Sequence, residues 1–282
     1  MSVHSRYRAG LWHPYEKPMC GVLLNPYHPL ARGLVGCWLF NEGGGSIVYD
    51  LSGHGNHGTL GGGTAGYCPA WMPGKIGLAL NFDGSDDYID CGNGAFLNGL
   101  SAFSISAWVK SDVTTVDAAI WCGQDSDTMV LRYDKQGYEG GGSNVILFYF
   151  QTTTGGVNRY ESASNVQTTD WQHIVAIWNG SDLKMYIDGI EDSPTFKNPG
   201  TGVSTNADRC QFGRKGTTNY WDGFISTIMM WERVLDASEV WQLYTDPFCI
   251  FYHPLEAELL YAAAPPAGIV PQAMHHYRML RT

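Results

Sequence analysis

Between residues 34 and 231, apolar and polar residues alternate repeatedly with a period of two, and Gly- and Asp-containing turns separate the runs. Successive side chains of a strand point to opposite faces, so each run can turn one apolar side toward a core. Phe103-Ser104-Ile105-Ser106-Ala107-Trp108-Val109-Lys110 alternates most cleanly, with Phe103, Ile105, Ala107 and Val109 on one face. Similar runs are Leu34–Phe40, Ile47–Tyr49, Leu78–Phe82, Tyr88–Cys91, Ala118–Cys122, Met129–Tyr133 and Val145–Gln151. Trp171–Trp178, Leu183–Ile187, Gln211–Arg214 and Gly223–Trp231 complete the series. Asp188-Gly189 is a hairpin turn by composition. Only Asp236–Tyr244 reads as a helix, with Asp236 as cap and Glu239 three residues on. A dozen short strands predict an all-β, two-sheet antiparallel sandwich.

Composition narrows the function. Of 282 residues, 44% are hydrophobic, enough for a sizeable core, and 13% are aromatic. The net charge of −10 argues against a nucleic-acid surface. Charge is uneven: residues 1–32 sum to +3, residues 33–249 to −13, and residues 250–282 to zero. Cysteines stand at 20, 37, 68, 91, 122, 210 and 249, with no Cys-x-x-Cys pair. That pattern disfavours a zinc site or a complete disulfide framework. The opening residues carry no apolar run, so synthesis in a cytosol with free thiols is expected, and no bilayer-spanning stretch is visible.

The loop Asp50-Leu51-Ser52-Gly53-His54-Gly55-Asn56-His57-Gly58 concentrates oxygen groups and glycines. Two readings fit it. Its carbonyls can curl around a hard cation such as calcium. Alternatively, Asp50 caps its own backbone in a tight turn. The Asp83–Asp87 run likewise reads as a second ion site or as a hairpin turn with solvated acids.

Taken in order, several pieces resemble a concanavalin A-like jelly roll of the laminin-G-like, pentraxin-related type. They are Val35–Gly43, Asp50–Gly58, Asn81–Ile89, Phe103–Val109, Trp171–Ile174, Leu183–Gly189 and Trp221–Ile225, followed by the helix. The resemblance covers residues 33–249, about three quarters of the chain. It implies two curved antiparallel sheets and a structural calcium between the Asp50–Gly58 loop and Asp222-Gly223. Asp50, Asn56 and Asp222 are then the candidate metal ligands. Ser226 and Thr227 stand where the family often carries an Asp-Glu pair, which removes two carboxylates near that ion. Family members serve as carbohydrate-binding or adhesion modules and rarely as enzymes.

No enzyme is expected. Sandwich glucanases need carboxylates at alternate positions of one strand, and that spacing is missing. Gln172-His173-Ile174 scrambles the Gln-Ile-His strand of sandwich lyases and puts Gln172 and His173 on opposite faces. Sugar-stacking candidates are Tyr138, Tyr160, Tyr220 and Trp221, all near polar or Gly-rich loops; packing beneath those loops is the alternative.

The ends suggest assembly. Residues 1–32 form a basic, Pro-rich arm expected to lie extended on its own body or on another subunit. Residues 250–282 hold an Ala/Pro/Gly linker and an apolar tail. Such arms on a lectin-like body point to docking between subunits in a homo-oligomer. With no visible leader, the form is similar to virion proteins of tailed phages that carry laminin-G-like domains. The leading expectation is therefore a capsid-decorating or tail protein that also binds glycans. The alternative is a freestanding extracellular carbohydrate-binding module; a degenerate hydrolase or lyase comes last.

Overall fold

The computed structural model describes residues 16–124, 129–137, 142–153, 157–202, 204 and 207–252. In chain order the strands begin β1 (Leu34–Trp38), β2 (Ile47–Val48), β3 (Gly58–Leu60), β4 (Ala70–Pro73), β5 (Leu78–Asp83) and β6 (Ile89–Asp90). They continue β7 (Phe103–Ser111), β8 (Ala118–Gln124), β9 (Met129–Asp134), β10 (Val145–Gln151), β11 (Val157–Glu161) and β12 (Gln172–Trp178). The last are β13 (Leu183–Ile187), β14 (Ile190–Glu191), β15 (Phe196–Asn198), β16 (Gln211–Phe212) and β17 (Asp222–Trp231), before helix α1 (Ala237–Thr245). All pairings between these strands are antiparallel.

Two sheets form the expected sandwich. One runs β14-β13-β12-β7-β17-β5-β4, with β1 also on β17; the other runs β15-β11-β10-β9-β8-β16-β6-β3-β2. Phe103, Ile105, Ala107 and Val109 of β7 enter the core between the sheets, as their alternation requires. Leu131 and Tyr133 of β9, and Ile146, Phe148 and Phe150 of β10, meet them from the other sheet. Asp188 and Gly189, with φ of 51° and 79°, make the tight β13–β14 turn. Two successive positive φ values match the right-handed twist of the strands they join.

The other side of the β7 sheet is also covered, which the alternation did not foretell. Val175, Ile177, Met229 and Trp231 pack there against Val240 and Leu243 of α1 and against Leu30, Phe248, Ile250 and Phe251. Asp236 and Glu239 close a reciprocal capping box at the helix start. Arg233 grips Glu239 through its two terminal guanidinium nitrogens, Nη1 and Nη2, at 2.8 and 2.7 Å. Each fully buried Val or Leu of α1 contributes about 1.5–3 kcal/mol to its docking. Among the described residues no helix is long and apolar enough to cross a membrane.

The described parts of the two arms are stitched to this covered side. Leu24 bridges Phe251, and Trp231 Nε1 donates to Leu30 O at 2.7 Å. Lys17 reaches deepest: its ammonium meets Leu39 O, Leu78 O, Ser226 O and Ser226 Oγ, all within 2.9 Å. Ser226 is the extra residue of a β-bulge, because Ile225 pairs Val109 and Thr227 pairs Trp108. A bulged residue is left out of the ladder, and Lys17 takes its carbonyl. Residues 1–15 and 253–282 of the two arms lie outside the described residues.

Candidate functional site

The Asp50 loop closes on itself. Asp50 is 5% exposed. Its Oδ1 accepts from the Cys37 and Ser52 amides, and its Oδ2 accepts from Ser52 Oγ and the Asn56 amide, all at 2.9–3.0 Å. The Asn56 carbonyl accepts from Trp38 Nε1 at 2.8 Å, and its side-chain amide donates to Val35 O at 2.9 Å. These groups serve the tight turn.

Asp222 belongs elsewhere. Asp50 bridges Trp38, which pairs with Ile228, whereas Asp222 pairs with Asp83 at the far end of β17. Six strand residues span roughly 20 Å, so the expected trio Asp50, Asn56 and Asp222 is not one ligand set.

Asp222 instead joins an acidic turn. Asp83, Asp86 and Asp87 each present a carboxylate oxygen within 4.8 Å of the others, so the group can hold a metal ion. The turn is internally braced: Asp83 Oδ1 accepts from the Ser85 and Asp86 amides, and Asp87 Oδ2 from the Asp83 amide. Burial raises the Asp87 carboxyl to about 6; the Asp83 N–H opposes the rise, and the Asp83 and Asp86 charges add to it. Burial, then the charges of Asp112 and Asp83, also raise Asp222. An all-oxygen, charge-crowded group suits a hard cation.

The aromatic candidates fall mostly inside. Tyr160 is 1% exposed, and its hydroxyl donates to Asp192 O and Oδ2 at 3.0 and 3.1 Å. Trp221 is fully buried edge-on against Tyr133, with centroids 5.0 Å apart. Neither can stack on a sugar in solvent, which corrects the sequence expectation for both. Tyr220 is half-buried just before β17, and Tyr138 lies outside the described residues. Gln172 and His173 do point apart: Gln172 Oε1 accepts from Tyr133 Oη at 2.6 Å, while His173 Nε2 meets Ser106 Oγ at 2.8 Å.

Burying Tyr160 exposes what its neighbours do. Arg159-Tyr160-Glu161 on β11 repeats Arg132-Tyr133-Asp134 on β9. Both tyrosines enter the core, so the arginine and acid of each triplet share the outer face. Arg132 Nη2 meets Asp134 Oδ2 at 2.7 Å, and Arg159 Nε meets Glu161 Oε1 at 2.6 Å. Arg159 Nη2 also comes within 4.0 Å of Asp134 Oδ2, linking the pairs. The two arginine side chains are 16% and 13% exposed, and the acids 6% and 0%. Glu161 Oε2 and Arg132 Nε are buried with no hydrogen-bond partner among the described residues. Tyr149 stands between them on β10, half-buried, with the Arg159 guanidinium 5.8 Å from its ring centre. The sequence signal for this group was the repeated Arg-Tyr-acid triplet, which went unread because strand β11 is too polar to register as a strand.

Register extends the face across the sheet. Thr59, Asp90, Gln211, Cys122, Val130, Tyr149, Arg159 and Asn198 are opposed in sequence on eight adjacent strands. Directly opposed residues point the same way, so they form one row about 34 Å long. At its far end a depression of about 410 Å³ is lined by Asn56, His57, Thr59, Asp90, Cys91 and Asn93, among others.

A family model described as the concanavalin A-like lectin/glucanases superfamily matches residues 83–241. No curated protein sequence matches the chain. Among solved structures, the chain is similar to domain 4 of AbnA, a GH43 extracellular arabinanase of Geobacillus stearothermophilus in complex with arabinotriose. That match has 23% identity and a TM-score of 0.58, and covers 75% of this chain and 98% of that one. It is also similar to the binding domain of Paraclostridial Mosquitocidal Protein 1, at 16% identity and TM-score 0.58, over 76% and 52% of the two chains. A third is botulinum neurotoxin type C, whose cell entry depends on interaction with two ganglioside molecules. It shows 14% identity and TM-score 0.55, over 76% and 51%. Of these last two the chain spans about half the length, and at such identities the likeness is one of fold.

Proposed function

The chain belongs to the concanavalin A-like lectin/glucanase superfamily, and from that premise we propose that it is a carbohydrate-binding module whose ligand lies on the outer face of the β9–β11 strands. The observation that carries this reading is the ion-paired quartet Arg132, Asp134, Arg159 and Glu161 beside Tyr149. Arg132 and Arg159 keep an exposed edge of guanidinium that can donate to sugar hydroxyls, while the buried acids hold the two forks in place. Tyr149 adds an apolar ring for stacking. The fold neighbours support the same class, one being seen with arabinotriose and another depending on gangliosides. None of the three relatives described is a virion protein, and Lys17, Pro18 and Leu30 of the N-terminal arm bond to the protein's own body. The module reading therefore stands ahead of the particle-protein reading, and an extracellular setting is part of the same proposal. It is binding without turnover, because Asp134 and Glu161 are each neutralised by an arginine.

Titration calorimetry of the full chain against arabino-oligosaccharides and ganglioside headgroups tests this. Wild type is expected to bind a member of this panel, and Arg159→Ala to weaken that binding about 10- to 100-fold through loss of charge-assisted hydrogen bonds. Equal affinity in both, or no binding across the panel, would refute it.

A structural calcium belongs to the same proposal, with Asp83, Asp86 and Asp87 as its holders in place of Asp50 and Asn56. Calcium at a hundredfold excess over its Kd should then stabilise wild type by about 2.7 kcal/mol. Asp87→Asn should abolish the response. A melting temperature indifferent to calcium in wild type would remove the ion from the account.

A further inference from the structure

We propose that Cys91 and Cys210 are a redox-responsive cross-strand pair, closed to a disulfide by low-molecular-weight disulfides that enter through the depression beside β6. Register places them together. Ile89 pairs Phe212 and Asp90 pairs Gln211, and just past this ladder Cys91 and Gly92 together face Cys210 in a bulge. The Cys91 amide donates to Cys210 O and the Cys210 amide to Gly92 O, both at 2.8 Å. Opposed antiparallel residues have Cα atoms about 4.5–5.5 Å apart, inside the range a disulfide spans. Both side chains belong to the same core cluster. Space is reserved for them, since a Cβ at Gly58 would come within 2.8 Å of Cys91 Sγ.

Access sets the order of events. Cys91 is 7% exposed and lines the depression, while Cys210 is fully buried. Cys91 gives its proton to solvent base, and its thiolate attacks one sulfur of the reagent. The reagent's S–S bond breaks and one thiolate leaves and takes up a proton. Cys210, deprotonated in turn, attacks Cys91 Sγ in the mixed disulfide and expels the second thiol. Two protein thiols are oxidised and one small disulfide is reduced to two thiols. Burial raises the Cys91 thiol well above its usual range, and the Cys210 thiol adds to the rise, so the reaction accelerates with pH.

The test is incubation of the full chain with oxidised glutathione at alkaline pH, followed by peptide mapping. Wild type should yield a peptide joining residues 91 and 210. Its melting temperature should rise about 5–10 °C from closing so long a loop. Cys210→Ser should stop at a glutathione adduct on Cys91, and Cys91→Ser should leave Cys210 unmodified. A persistent adduct on Cys91 of wild type, or no reaction at Cys91 after prolonged oxidation, would overturn the pair. So would Cys210 modified in Cys91→Ser.

Discussion

Lys17→Ala should lower the stability of the fold by about 3 kcal/mol, the cost of stranding buried acceptors that the ammonium now serves. The residue sits far from the strands in sequence, yet its side chain is a plug. It is 8% exposed and touches three carbonyls, one from the segment after β1, one from β5 and one from the β17 bulge. Truncation leaves these oxygens facing a void too narrow for their full hydration. The position also titrates. Burial pulls the ammonium down to about 7 against its ordinary 10.5, with the Glu42 carboxylate resisting. Between those values the unfolded chain holds a proton that the folded chain has shed, so folding gains stability as pH rises through that window. The neutral amine still donates two hydrogen bonds to the cage. Chemical denaturation of both proteins at pH 7 and pH 10 checks this. The gap should widen with pH; a gap under about 1 kcal/mol at both would show the plug to be ornamental.

Acid should unfold the protein through His173. Its ring is 1% exposed and lies stacked on Trp108 at 5.0 Å, with Tyr244 at 6.1 Å. Burial, and then the Lys75 charge, hold the imidazole down at about 3. Between pH 6.5 and 3 the unfolded chain takes up a proton that the folded chain refuses, so this contribution is lost as pH falls. At 1.36 kcal/mol per unit the loss approaches about 4 kcal/mol near pH 3. Asp87 works the other way between 3.8 and about 6, where its raised carboxyl makes the folded chain the better proton binder. The comparison must therefore be differential. His173→Gln should cost stability at pH 7, with the gap to wild type narrowing toward pH 4. Parallel curves would assign acid sensitivity to other groups.

The fold was legible because its core strands obey one rule. Phe103–Lys110 carries Phe103, Ile105, Ala107 and Val109 at every second position, and the structure sends those residues inward. The capping box at Asp236 and Glu239 marked the one α-helix among the described residues correctly. The second covered face was hidden, since Ser104, Ser106 and His173 are polar by type but lie buried under α1 and its neighbours. Strands β3, β4, β11, β14 and β15 were missed because they are short or made of polar and mixed residues, so no period-two apolar run marks them. The site was less legible. A resemblance placed a cation between Asp50 and Asp222, but a one-dimensional motif does not say that β17 holds them roughly 20 Å apart. Tyrosine and tryptophan were judged by nearby loops, whereas strand parity decides their side. Tyr160 points inward for the same reason that Arg159 and Glu161 point outward.

Chemical-shift mapping of the isotopically labelled full chain, titrated with the tightest-binding oligosaccharide of the calorimetric panel, tests the binding face most directly. The backbone amides of Arg132, Tyr149, Arg159 and Glu161 should shift together and saturate at one affinity. Saturable shifts confined to the helix side of the β7 sheet, or none on β9–β11, would contradict the account.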